Sequence, residues 1–153
     1  MTTIHTTEES RAKEFLGRVG RIERRLTWKK TQVESLRTLA TGCSAQISDM
    51  PRSDSPNLQR LETLVCKIAD LDAAIKQDEA DLAAAKIDLA LMICRVPNEL
   101  QQAILTARYM ECKTWSIVIE ETGISRSGVF SHHEDALCWV ESLLAEDAMR
   151  GNR

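Results

Sequence analysis

Apolar residues in the first hundred positions fall into two long periodic sets. Phe15, Val19, Ile22, Leu26, Val33, Leu36 and Ala40 recur at alternating steps of four and three, with Lys29 filling one slot. That spacing predicts a long helix burying a heptad seam. Thr6-Thr7-Glu8-Glu9 reads as a capping box before it, and Thr41-Gly42 as its stop. A second seam runs through Leu61, Leu64, Ile68, Leu71, Ile75, Asp78, Leu82, Ala85, Leu89, Met92 and Val96. Ser55-Pro56 opens it and Pro97 closes it. The pattern therefore predicts helices over about 8–41 and 56–96, joined by a polar, aperiodic loop over 42–55.

Two heptad helices on a short loop fold back most simply as an antiparallel hairpin. A register fitted to the apolar residues sets Leu36 against Leu61, Val33 against Leu64, Leu26 against Leu71, Ile22 against Ile75 and Phe15 against Leu82. It also sets Arg18 across from Asp81 and Arg11 across from Asp88. Lys29 and Asp78 then lie in different layers and do not neutralise each other; Lys29 snorkels, and Asp78 has no account. Leu89, Met92 and Val96 outrun the first helix, so they pack on the C-terminal region or, as the alternative, in a homodimer seam through the hairpin.

After Pro97 the spacing shortens. Asn98 caps a helix with Leu100, Ile104, Leu105 and Tyr109 on one side, and Thr114 caps the next, with Trp115, Val118 and Ile119 facing inward. Gly123 supplies a tight turn, Ile124 a buried plug, and Ser125 the N-cap of a last helix whose buried stripe is Val129, Ala136, Leu137 and Val140. These offsets predict a helix-turn-helix. The expected fold is all-α: a long antiparallel, coiled-coil-like hairpin over 1–97 followed by a helix-turn-helix domain over 98–153.

Composition agrees with that class. Only 4% of residues are aromatic, and three prolines and six glycines interrupt the chain. The longest apolar run, residues 89–94, is far too short to cross a bilayer, and the N-terminus has no signal-peptide core, so a cytoplasmic protein is expected. Five widely spaced cysteines without a CxxC pair read as free thiols. The sequence has no phosphate-binding glycine loop, metal-ligand spacing or nucleophile–base pair, which argues against an enzyme and against any cofactor or metal.

A further set of residues carries a resemblance. Residues 109–115 (Tyr109 to Trp115), Glu120-Glu121-Thr122-Gly123-Ile124-Ser125-Arg126-Ser127, and Val129-Phe130 with His133 and Ala136-Leu137 resemble region four of bacterial sigma factors. The likeness is nearest to the small phage-encoded sigma-like proteins of the ArpU and RinA type. Glu14-Phe15-Leu16, Ile22-Glu23, Ser35-Leu36-Arg37 and Asp49-Met50-Pro51-Arg52 are similar to that group as well, less specifically. The resemblance implies a regulator of phage or prophage late transcription that binds promoter DNA and touches RNA polymerase. The chain departs from the group at Ser131 and Asp135, where basic residues are usual, and at Ile119, Gly128 and His132.

Net charge is −3, and residues 98–153 hold five Lys/Arg against nine acids. Candidate phosphate contacts are therefore few: Arg108, Lys113 and Arg126, with Ser125, Ser127 and Ser131 as neutral donors. Glu134, Asp135 and Glu141 share the last helix and would repel the backbone. The basic stretch over residues 18–30 is either a second contact or a hairpin flank paired with acids of the second helix. Trp28, Trp115 and Trp139 read as packing residues. The expected function is a sequence-specific DNA-binding transcription regulator acting on double-stranded DNA. The alternative is a protein-interaction module, with RNA polymerase or a sigma factor as partner, that keeps the fold without autonomous DNA binding.

Overall fold

The computed structural model describes residues 10–47 and 56–151. Among them every regular element is helical: α1 (Arg11–Ile47), α2 (Pro56–Cys94), α3 (Glu99–Leu105), a π-helical turn (Thr106–Met110), α4 (Trp115–Thr122) and α5 (Arg126–Arg150). No helix is long and apolar enough to cross a membrane among the described residues. The anticipated capping box at Thr6–Glu9 and the Asp49–Arg52 match lie outside the described residues.

Contacts divide the chain into two compact units, one of residues 22–83 and one joining the chain's start to residues 84–153. The first is the hairpin proper. Ion pairs Lys30–Glu79 at 2.9 Å and Arg37–Asp72 at 2.8 Å descend one helix as they climb the other, so α1 and α2 run antiparallel. Leu26, Val33, Leu71 and Ile75 are buried between them.

The register differs from the one anticipated. Asp78 accepts two hydrogen bonds from Arg25, at 2.8 and 3.0 Å, and one from Lys29 Nζ at 2.6 Å. Lys29 and Asp78 do meet. α2 is displaced by one heptad relative to the apolar fit, which brings Asp78 level with Leu26 and within one helical turn of Lys29. A seam that repeats every seven residues fits itself again after a slip of seven, so apolar positions alone do not choose between the two registers. The same displacement appears in the other unit, where Arg18 pairs at 3.5 Å with Asp88 rather than with Asp81.

α1 also runs past the expected stop at Gly42 to Ile47. One helical glycine costs only about 1 kcal/mol, and hydroxyls of Thr38 and Thr41 tie to carbonyls one turn back. α2 ends at Cys94, where Arg95 and Val96 close the last turn on the carbonyls of Met92 and Ile93 before Pro97.

The second unit buries the end of α2 within the chain: Leu89, Met92, Ile93 and Val96 are all at most 5% exposed, whereas Leu91 is 63% exposed. At the start of α1 the buried line passes through Ala12, Leu16 and Val19, leaving Phe15 half-buried. The cause is a wider apolar environment than a two-helix seam. Here α1 also meets α5, whose Glu141 carboxylate accepts from Ser10 Oγ at 2.8 Å and Ala12 N at 2.9 Å. A side chain 129 residues away thus caps this helix start.

Three stability measurements test these assignments. Leu89→Ala should cost about 2–5 kcal/mol, while Leu91→Ala should stay within ~0.5 kcal/mol in urea titrations followed by circular dichroism. Asp78→Ala should lower Tm by roughly 5 °C or more by stranding Lys29 in the seam, and the double change Lys29→Met with Asp78→Leu should recover it. Arg25, then Lys29, hold the Asp78 carboxyl below its ordinary range. Its contribution is thus complete above pH ~3.9 and is lost as pH falls through the lowered value; Asp78→Asn should flatten that part of the acid profile.

Candidate nucleic-acid interface

Asn98 caps α3 as anticipated, its side chain accepting from Leu100 N at 2.9 Å and Gln101 N at 3.3 Å. The helix then widens into the π turn, where Glu111 N donates to Thr106 O across five residues. Cys112 takes a left-handed conformation, φ 54°, and releases the chain toward α4. Thr114 precedes α4 in an extended conformation but makes no side-chain capping bond, contrary to expectation.

α4 ends on Gly123 at φ 65°, whose N–H donates to Ile119 O, and Ser125 Oγ accepts from Gly128 N at 3.2 Å to start α5. Ile104, Ala107, Val118 and Val129 form the core beneath, with Leu100, Trp115, Ile119 and Ile124 packed against it. Gly128 has a local reason. A Cβ there would lie 2.6 Å from Ile124 Cγ2 and 3.2 Å from Ser125 Oγ. The Ile124 plug occupies the space that any side chain at 128 needs.

The six candidate contacts separate into groups. Arg126, Ser127 and Ser131 are exposed on the first turns of α5. Arg126 has no carboxylate partner among the described residues, and its guanidinium lies 5.6 Å from the Phe130 ring centre. Ser125 is engaged as the cap. Arg108 donates to Lys113 O at 2.8 Å and covers the Trp115 ring at 4.9 Å. Lys113 Nζ sits between Glu111 at 2.6 Å and Glu121 at 2.7 Å, which hold its ammonium above the ordinary lysine range. Arg108 and Lys113 thus brace the turn before α4, and Arg126 carries the available positive charge.

The acids separate too. Glu141 faces α1, so it does not oppose a phosphate backbone, while Glu134 and Asp135 are exposed. Most of the basic stretch over 18–30 is paired with α2: Arg18 with Asp88, Arg25 and Lys29 with Asp78, Lys30 with Glu79. Of the three tryptophans only Trp115 packs inside; Trp28 and Trp139 are 61% and 47% exposed. Both were expected to pack, but each lies on an outward helix face.

Sequence reasoning did not foresee the group that ties α5 to the π turn. His133 is 5% exposed, its Nε2 is 2.9 Å from the Tyr109 hydroxyl, and its ring meets the edge of Trp115 at 4.7 Å. Burial pushes the Tyr109 phenol up, so it keeps its proton, and the imidazole tautomer sets which of the two groups donates. Burial likewise holds His133 below its ordinary value, with Glu134 opposing and Lys13 and Arg108 reinforcing. The available signal was the histidine's helical spacing from Val129 and Ala136.

Among the described residues no group of three His, Cys, Asp or Glu side chains is placed to hold a metal. Compared with protein-family models, with curated proteins and with solved structures, the chain matches none.

Two outcomes follow from this geometry. Gly128→Ala should lower Tm, because the contact with Ile124 outweighs the gain of about 1 kcal/mol in helix propensity. Because His133 is held neutral, its contribution is complete above pH ~6.5 and falls as pH drops below that value. His133→Phe should therefore lose less stability than the parent between pH 7 and 5 in paired thermal melts.

Proposed function

We propose that residues 98–150 act as a helix-turn-helix that places the first turns of α5 in the major groove of promoter DNA, in a regulator resembling sigma region four and the phage late regulators. The observation that carries this reading is the junction between α4 and α5: left-handed Gly123, buried Ile124 and capping Ser125 launch a helix whose exposed start presents Arg126, Ser127 and Ser131. Arg126 is the phosphate or guanine contact; Ser127 and Ser131 donate to phosphate oxygens. Gly128 presents no side chain to a base, so sequence discrimination falls to few groups. Binding of this kind is weak and salt-sensitive, and gains from RNA polymerase or a second copy holding the protein on the promoter.

A second reading has its own support. Lys113 is neutralised by two glutamates, and Glu134 and Asp135 stand exposed on α5. Those features suit a module that recognises RNA polymerase or a sigma factor without contacting DNA.

Pull-down of sheared genomic DNA at two salt concentrations separates the readings. Enrichment of one discrete site, weakening as salt rises, supports the regulator; no enrichment at low salt sinks autonomous DNA recognition. On the recovered site, Arg126→Ala should abolish measurable binding or reduce the salt slope by about 0.9, and Lys113→Ala should leave affinity within about twofold.

A further inference from the structure

Arg126 is the first residue of α5, where the helix dipole disfavours a cation. Its guanidinium nevertheless has a defined place, with its central carbon over the Phe130 ring, 5.6 Å from the ring centre. Residues four apart share a helix face, and the electron-rich face of a ring attracts a guanidinium within about 6 Å. Phe130 is fixed in turn. Its half-buried ring meets Trp115 of α4 at 4.8 Å and 46°. Trp115 is held by Arg108, over its ring at 4.9 Å, and by His133, edge-on at 4.7 Å. The line from Arg126 through Phe130 to Trp115 therefore ties the exposed start of α5 to α4 and to the π turn. Stacking uses the faces of a guanidinium and leaves its in-plane N–H donors to a ligand.

We propose that Phe130 is a positioning residue for Arg126. It lies outside the six candidate contacts and acts on DNA only through the arginine it orders, so the proposal rests on the helix-turn-helix reading. A free arginine side chain loses rotamer freedom when it makes a contact, and that loss weakens binding. A ring beneath the guanidinium removes part of the freedom beforehand. This matters more here than in a strongly basic interface, because one arginine carries the available positive charge at the start of α5. Leucine at position 130 would still pack on Trp115 but has no π face to hold the cation, whereas tyrosine keeps one.

The test has one arm without DNA and one with it. In the free, ¹⁵N-labelled full chain, the Arg126 Nε–H group should be more ordered by NMR relaxation than that of exposed Arg24. Phe130→Leu and Phe130→Met should remove the difference and Phe130→Tyr should keep it, with the remaining α5 amide shifts marking any variant that fails to fold. On the DNA site recovered by pull-down, Phe130→Leu should weaken binding about two- to fivefold, the range set by one exposed cation–π contact. Its salt slope should equal the parent's, because no phosphate contact is removed, and Phe130→Tyr should bind within about twofold of the parent. A merely structural role would weaken Phe130→Leu without changing Arg126 order. That result, order retained in both Leu and Met variants, or undiminished DNA binding by Phe130→Leu would overturn the positioning role alone. Order lost as expected while the parent binds no DNA would overturn the helix-turn-helix reading, and the positioning role with it.

Discussion

A carboxylate inside an apolar seam has few places where it can stay charged, and Asp78 has found one. Arg25 and Lys29 supply three hydrogen bonds between them, so the buried anion is neutralised and largely saturated. Leucine and isoleucine layers are interchangeable under a slip of seven residues, but this triad is not. A slip of seven in either direction would carry the aspartate away from Arg25 and break the triad. The polar layer therefore contributes discrimination between registers more than it contributes affinity between helices. Lys30–Glu79 and Arg37–Asp72, both largely exposed, follow the same register with little energy of their own.

Charge is handled by the same logic in the unit that contains α3 to α5. An excess of acids there suggests a surface hostile to nucleic acid, yet several of those acids are already paired with partners in the chain. Glu141 closes the first turn of α1, Glu111 and Glu121 share Lys113, and Glu146 and Asp147 meet Arg95. What reaches solvent at the start of α5 is one arginine and two serines. Formal charge counts describe the field far from the molecule; local recognition depends on which charges remain unpaired.

Much of the fold was legible because it rests on patterns with a physical period. Heptad spacing located both long helices, and the glycine, serine and asparagine signals located Gly123, Ser125 and Asn98 where the chain turns. The rest depended on properties that spacing does not carry. A heptad pattern fixes a seam only up to multiples of seven. The π turn and the left-handed Cys112 arise from tertiary packing, and cysteine is no signal for positive φ. Gly128 looked like a weakness in a helix until the position of Ile124 supplied the steric reason. Of the candidate site, Arg126, Ser127 and Ser131 lie exposed together, while Arg108 and Lys113 are drawn into local hydrogen bonds that only a folded turn can create.

The capping of α1 by Glu141 joins groups 129 and 131 residues apart, and that separation governs when the contact can form. During synthesis the first residues of α1 leave the ribosome without their cap. At roughly 5–20 residues per second, the carboxylate follows on the order of 10 s later. In that interval the hairpin, built from closer contacts, can form alone, whereas Ala12 and Leu16 have no finished core to enter. Closure between the start of α1 and α5 is then a late event, because the loop entropy it must overcome is reduced only after the intervening helices have paired. The unit that carries the proposed recognition helix is the part that waits for residue 141.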